Sequence, residues 1–245
     1  MKNQSNNNYS SIKPKLLKDF DKTANLVRNS VAIRYSEDFA ETLYQEVRHE
    51  FEALIPQMPY IDKKAMTLRK FLFITTQELA VYKAMKEHGK TPSEAWEICH
   101  DALRERLNKV SALMRWIAKK MYFSTIMKSI MRKMIAKTQQ QSLSGFVLEF
   151  VEGDGQNFDF GVNYLECPMQ QFVRDQGAEE FAPYPCLSDV VLGETFGWGV
   201  IRSETLGDGC KRCNFRFKKG GNTRITSPTP EVQATIERIR EKEAA

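Results

Sequence analysis

Apolar residues between Phe39 and Leu54 return at intervals near three and four: Phe39, Leu43, Val47, Phe51, Leu54. That interval is the period of one helix face, so the stretch predicts an amphipathic helix. "MPYIDKK" breaks it. The segment "AMTLRKFLFITTQELAVYKAMKEHGK" is apolar through its middle and predicts a second long helix, closed by Gly89. Thr91-Pro92-Ser93-Glu94 reads as a capping box with proline in the first turn, opening a helix over residues 92–108. A fourth helix is predicted over 111–137, where Leu113, Ile117, Met121, Ile130 and Met134, with Met114, Met127 and Met131, form a broad apolar face expected to pack in the core. "TQQQSLSG" ends it.

At Gly145 the period changes. "FVLEFVEG" and "NFDFGVNY" are short strand-like runs around the turn "GDGQ". Two helical stretches follow, "PMQQFVRDQGAEEF" and "LSDVVLGETFG", and then two more strands, "WGVIRSETL" and "CKRCNFRFKK", joined by "GDG". The order ββααββ predicts an α+β fold: an all-helical N-terminal region packed on a four-stranded antiparallel sheet with helices on one face. The expected divisions are an Asn/Ser-rich disordered arm (1–14), a helical region (15–140), an α+β region (141–225), and a Thr/Pro linker with a polar tail helix (226–245).

Composition narrows the function classes. The chain has 245 residues, 42% hydrophobic and 27% charged, enough for one large domain or two small ones. No run of about 18 apolar residues exists to form an integral membrane segment. "MKNQSNNNYSSIKPK" has no apolar stretch behind its lysine and is not read as a secretory signal, so a cytoplasmic location is expected. The net charge is +5 and uneven: no Asp or Glu lies between Glu105 and Glu149, whereas Arg106, Lys109, Arg115, Lys119, Lys120, Lys128, Arg132, Lys133 and Lys137 do. Such a block could meet nucleic acid, an acidic membrane surface or an anionic substrate; the commoner outcome is a solvated helix face, and no nucleic-acid partner is expected.

Five cysteines in a cytoplasmic chain argue against disulfides. Cys210 and Cys213 form a C-x-x-C pair. Cys213 shares a strand face with Phe215 and Phe217 and reads as core, and Cys210 falls in a turn. A structural zinc site wants four ligands, and Cys167 and Cys186, each beside a proline, do not complete a ribbon pattern, so no metal is expected. A thioredoxin-like pair would stand at a helix start, not in a hairpin. Cys167 ("ECPMQQF") and Cys186 ("PYPCLSD") each head a helix, where free N–H groups and the helix dipole lower a thiol pKa. The plainer reading is that both simply plug helix starts. Asp189, three residues after Cys186, either caps that helix or holds a proton or a substrate nitrogen. His49, His88 and His100 all lie in the helical half; His88 reads as a dipole partner at a helix end, and the other two as surface residues.

The strand pair "FVEGDGQNFDFGVNYLEC", the turn "PYPCLSD", the stretch "RSETLGDGCKRCNFRFKKGG" and the helical "ELAVYKAMKEHGKTPSEAWEI" together resemble the L-2-amino-thiazoline-4-carboxylic acid hydrolase family over about residues 40–220. Cys210 lies outside the family pattern, and Asn214 stands where an aspartate is expected. The last hairpin is also similar to the 4-vinyl reductase domain, which makes a non-catalytic sensor or carrier of small molecules the rival reading. The resemblance implies hydrolysis of a carbon–nitrogen or carbon–sulfur bond in a small cyclic amidine, without a cofactor, giving an N-carbamoyl amino acid. It implies Cys186, Asp189 and Cys167 as catalytic candidates, with Cys186 the preferred nucleophile because Asp189 lies within one helical turn. Cys213, Arg202, Arg216 and Glu204 are the substrate-binding candidates, the arginines as partners of a substrate carboxylate. Direct attack by activated water, with the cysteines structural, is the alternative within the same class. A homo-oligomer is compatible with all of this.

Overall fold

The computed structural model describes residues 9–63, 65–140 and 145–244. The chain divides into two compact units. One runs to Glu105 and adds Gln171–Phe181; the other comprises Arg106–Gln170 and Ala182–Ala245.

The first unit is helical. It contains α1 (Lys13–Arg34), α2 (Glu37–Leu54), α3 (Met66–Glu87) and most of α4 (Pro92–Asn108). The stripe read from the sequence is the buried face of α2: Leu43, Val47, Phe51 and Leu54 are all in the core, and Phe51 stacks on Phe20 of α1 at 5.0 Å. Ser36 caps α2 by accepting from Phe39 N. The capping box at α4 is reciprocal: Glu94 N donates to Thr91 Oγ1 at 3.2 Å, and Thr91 N donates to Glu94 Oε2 at 2.9 Å. The arm expected over residues 1–14 lies outside the described residues as far as position 8. Its remainder is structured: Tyr9 is buried, its hydroxyl accepts from Ile61 N at 3.0 Å, and α1 begins at Lys13. His100 is buried beside Trp96 rather than on the surface, because one side of α4 faces the core. His88 follows the end of α3 and meets Glu46 at 2.7 Å. The 171–181 segment is fixed to α3 by Phe181, stacked on Tyr82 at 4.5 Å, and by Glu180, which accepts from the Tyr82 hydroxyl and from Lys86 Nζ.

The second unit carries the sheet: β1 (Val147–Glu152), β2 (Phe160–Glu166), β3 (Val200–Arg202), β4 (Cys213–Phe217) and β5 (Arg224–Ile225), in the order β1-β2-β4-β3-β5. The sheet is α+β in class as expected, but it is mixed and five-stranded, not four-stranded antiparallel. The first four strands pair antiparallel; β5 joins the far edge parallel to β3 through Arg202↔Ile225. β5 lies at the end of the expected α+β region, past the last predicted strand, where two residues are too few to show an alternating pattern. Buried Ile225 is what the edge gains.

The predicted helix over 111–137 is two helices, α5 (Ala112–Tyr122) and α6 (Thr125–Gln140), both in the second unit. Ser124 starts α6 by accepting from Met127 N at 3.1 Å. α6 turns Ile135 and Thr138 to the sheet, where Leu148 N of β1 donates to Thr138 Oγ1. α5 has no fully buried residue; its contribution is Tyr122, whose ring stacks on Trp198 at 4.5 Å and meets Phe217 edge-on. The expectation that the whole apolar face packs in the core is therefore not met: Leu113, Met121, Ile130 and Met134 are exposed. The "QSLS" part of the expected break lies outside the described residues.

Candidate active site

Register puts the sheet residues of the site on one face. Tyr164 pairs with Cys213, Val162 with Phe215 and Phe160 with Phe217, and alternation sends all six side chains the same way. Asn163, Asn214 and Arg216 take the opposite face. Around the cysteine face lie the first turn of α7 (Pro168–Asp175), of which Pro168–Gln170 belong to this unit, the turn Tyr184–Leu187, and α8 (Ser188–Phe196). Gly207 keeps the β3–β4 connection close to this turn, because a Cβ there would stand 2.8 Å from Ala182 O.

Arg202, at the end of β3, organises the centre. It is 2% exposed, and its Nη1 donates to Asp189 Oδ2 at 3.0 Å and to the Cys186 carbonyl at 3.1 Å. Its guanidinium lies over the Phe215 ring at 5.5 Å. Gln170, on the first turn of α7, donates Nε2 to Cys186 Sγ at 3.1 Å. Arg202 Nε and Gln170 Oε1 are both buried with no hydrogen-bond partner. Both atoms belong to side chains that hold Cys186, and a buried polar atom left unpaired costs about 1–3 kcal/mol.

The three thiols differ. Cys167 precedes α7, and its sulfur accepts from the backbone N–H groups of Gln170 and Met169, as a cap would. Burial still dominates and pushes its pKa up to about 11. Cys213 accepts from Leu206 N at 3.3 Å and is pushed up to about 12 by burial. Cys186 is raised well above the usual thiol value, first by burial and then by Cys213, with Arg202 pulling the other way. The expectation that helix starts lower the pKa of Cys167 and Cys186 is thus overturned: loss of water outweighs the helix dipole. Cys186 also sits inside a 3-10 turn leading into α8, not at a helix cap. Asp189 is pushed up to about 6 by desolvation, against the lowering influence of Arg202. Its side chain keeps 28% exposure, so it is the ionisable carboxyl of the cluster with a route to solvent.

Of the residues proposed from the sequence, Cys167, Cys186, Cys213, Asp189 and Arg202 come together. Arg216 and Glu204 do not join them. Arg216 lies on the other face, over Gly161, donating to Asn163 Oδ1 at 3.0 Å, and Glu204 forms an exposed ion pair with Arg212. Asn214 uses its carboxamide oxygen to accept from Ser203 N and Glu204 N, each at 2.9 Å, a fold-holding task on that same far side. Cys210 stays outside the cluster, in the loop, with its N–H bonded to Thr205 O. Gln170 and Tyr164 were not picked out from the sequence. Gln170 had one available signal, its position three residues after Cys167, which is one turn along the helix face. Among the described residues no group of three or more His, Cys, Asp or Glu side chains is arranged to hold a metal ion.

Compared with models of known families, residues 70–217, more than half of the chain, match the L-2-amino-thiazoline-4-carboxylic acid hydrolase model. Comparisons with curated proteins and with solved structures returned no match.

Proposed function

Because the chain belongs to the L-2-amino-thiazoline-4-carboxylic acid hydrolase family, we propose that it opens a small cyclic amidine by hydrolysis, with Cys186 as nucleophile. The observation that carries this reading is the pair of buried, unpartnered polar atoms, Gln170 Oε1 and Arg202 Nε, on the two side chains that hold Cys186, at its thiol and at its carbonyl. A bound amidinium donates to an acceptor such as Gln170 Oε1, and Arg202 Nε donates to a substrate oxygen; both deficits are then removed by the ligand.

The raised thiol pKa defines what the substrate must do. A cation placed beside Cys186 favours the thiolate, as does the N–H of Gln170. Asp189, pushed up to about 6, is a stronger base than an ordinary carboxylate and is the acceptor for the thiol proton. Sγ then bonds to the amidine carbon, the ring carbon–sulfur bond breaks, and the departing sulfur takes the proton from Asp189. Water adds to the resulting S-amidino intermediate, the bond to Cys186 breaks, and the thiolate is reprotonated. One water is consumed and an N-carbamoyl amino acid leaves. Cys167 and Cys213 support the site, the first by capping α7, which carries Gln170, and the second by tying the 206 loop to the sheet.

One observation favours the rival reading of a binding module: all three clustered thiols are held toward the protonated form. A panel of cyclic amidines, imines and lactams, incubated with the protein and with Cys186→Ser and followed by mass spectrometry, decides between them. Ring opening by the wild type and not by the variant supports the hydrolase. Retention of an intact ligand by both, with no product, supports the binding module.

A further inference from the structure

We propose that α5 and α6 form a docking face for an anionic lipid surface, an interaction distinct from the thiol site. Both helices turn apolar side chains to solvent. In α5 these are Leu113, Trp116 and Met121, with Leu113 64% and Trp116 54% exposed. In α6 they are Ile126, Ile130 and Met134, spaced four apart on one stripe, with Ile126 74% exposed. Exposed apolar residues are ordinary when scattered; a run of them along two consecutive helices is not.

The charge around the stripe selects the occupant. Residues 106–148 contain no carboxylate and nine basic side chains. Lys120 lies over the Trp116 ring at 4.0 Å, which places a cation at the edge of the apolar surface. Lys133 and Lys137 are exposed and flank Ile130 and Met134 one helical turn away. Arg132 pairs with Glu152 at 2.7 Å and is not counted among the cations offered to the surface. A second copy of the chain in a two-fold contact would set these same lysines against each other. A nucleic-acid backbone would neutralise the lysines and leave the isoleucines, methionines and leucine unburied. A bilayer surface with anionic headgroups meets both requirements: headgroup phosphates take the lysines, and the headgroup–acyl boundary takes the apolar stripe and the indole. No helix among the described residues is long and apolar enough to cross a membrane, so this contact lies along the surface.

The test is co-sedimentation of the full chain with vesicles of phosphatidylcholine alone and of equal parts phosphatidylcholine and phosphatidylglycerol, in low and then physiological salt. The expected result is binding to the phosphatidylglycerol vesicles alone, weakening as salt rises. Each basic residue near an anionic surface contributes about five-fold to partitioning, so Lys133→Gln with Lys137→Gln lowers it about thirty-fold at low salt. Ile126→Ser with Ile130→Ser removes the binding while leaving the thermal midpoint of these exposed positions unchanged. In the unaltered protein, tryptophan emission shifts to the blue on adding the anionic vesicles, and Trp116→Phe loses that shift. No binding to anionic vesicles at low salt, or equal binding to phosphatidylcholine alone, overturns the proposal. So does a stable oligomer, seen by light scattering, that Ile126→Ser with Ile130→Ser takes apart.

Discussion

Replacing Arg202 by methionine isolates what the central ion pair does. Methionine keeps an apolar stem over Phe215 and removes the charge along with both donated bonds, to Asp189 Oδ2 and to the Cys186 carbonyl. Breaking a buried pair by removing one partner costs about 3–5 kcal/mol, because the other charge is left uncompensated. Asp189 is 28% exposed, which places the expected cost near the bottom of that range, at about 3 kcal/mol. The cost depends on pH, and the sign follows from Asp189. Its folded pKa of about 6 lies above the unfolded value, so its ionisation subtracts stability as pH rises from the unfolded pKa through about 6. Arg202 is the influence that keeps this pKa from going higher. Without it the folded pKa moves further up, and the variant goes on losing stability with rising pH after the wild type has levelled off. The difference between the two therefore grows above about pH 6, by up to about 1.4 kcal/mol per pH unit until the variant's own pKa is passed. Urea unfolding at several pH values between 5 and 8 measures it. A penalty that is flat or shrinking over that range refutes the reasoning. So does a double variant, Arg202→Met with Asp189→Leu, that costs the full sum of its two single changes, since coupled partners are non-additive.

Three further outcomes follow from the site. Cys186→Ser abolishes turnover of any substrate found in the ring-opening panel, whereas Cys167→Ser lowers it only several-fold; the reverse ranking in steady-state kinetics reassigns the nucleophile. Gln170→Leu keeps the side-chain volume and removes both the unpartnered oxygen and the Nε2 bond to Cys186 Sγ, so it weakens transition-state stabilisation by about 1–3 kcal/mol, read as kcat/KM; unchanged kinetics would count against a ligand at Gln170 Oε1. Gly207→Ala sets a Cβ 2.8 Å from Ala182 O and 2.8 Å from Pro183 Cα, and lowers stability by about 1–3 kcal/mol in urea titrations; a neutral result would mean the loop shifts freely.

The helices were legible because their signals are local. The stripe from Phe39 to Leu54, the capping box at Thr91 and Glu94, and the glycine after α3 each state their structure within a few residues. The strands β1, β2 and β4 showed themselves by alternation. β5 did not, since its two residues are ordered by pairing with β3 and by nothing in their own sequence. The split at Ser124 was missed because a capping serine inside a continuous apolar pattern looks like any other polar position. At the site, the residue types were readable and their electrostatics were not. Helix starts suggested activated thiols, but desolvation depends on what the fold packs around them, and that comes from the first turn of α7, α8 and the 206 loop together. Alternation along β4 already separated Cys213 from Arg216; the expectation that both serve one substrate set that aside, and the sheet's two faces restore it.

The excursion of Gln171–Phe181 into the helical unit has a genetic consequence. The chain passes between its two units three times, after Glu105, after Gln170 and after Phe181. No single cut therefore yields two self-sufficient halves. A fragment beginning at Arg106 would carry Phe172, Val173, Ala178 and Phe181, all buried against the unit it lacks, as an adhesive tongue in the middle of its sequence. A fragment ending at Glu105 would lack the partner that Tyr82 stacks upon. The two units are thus bound to be inherited, synthesised and degraded as one piece, and neither is free to be shuffled into another gene without first losing that loop.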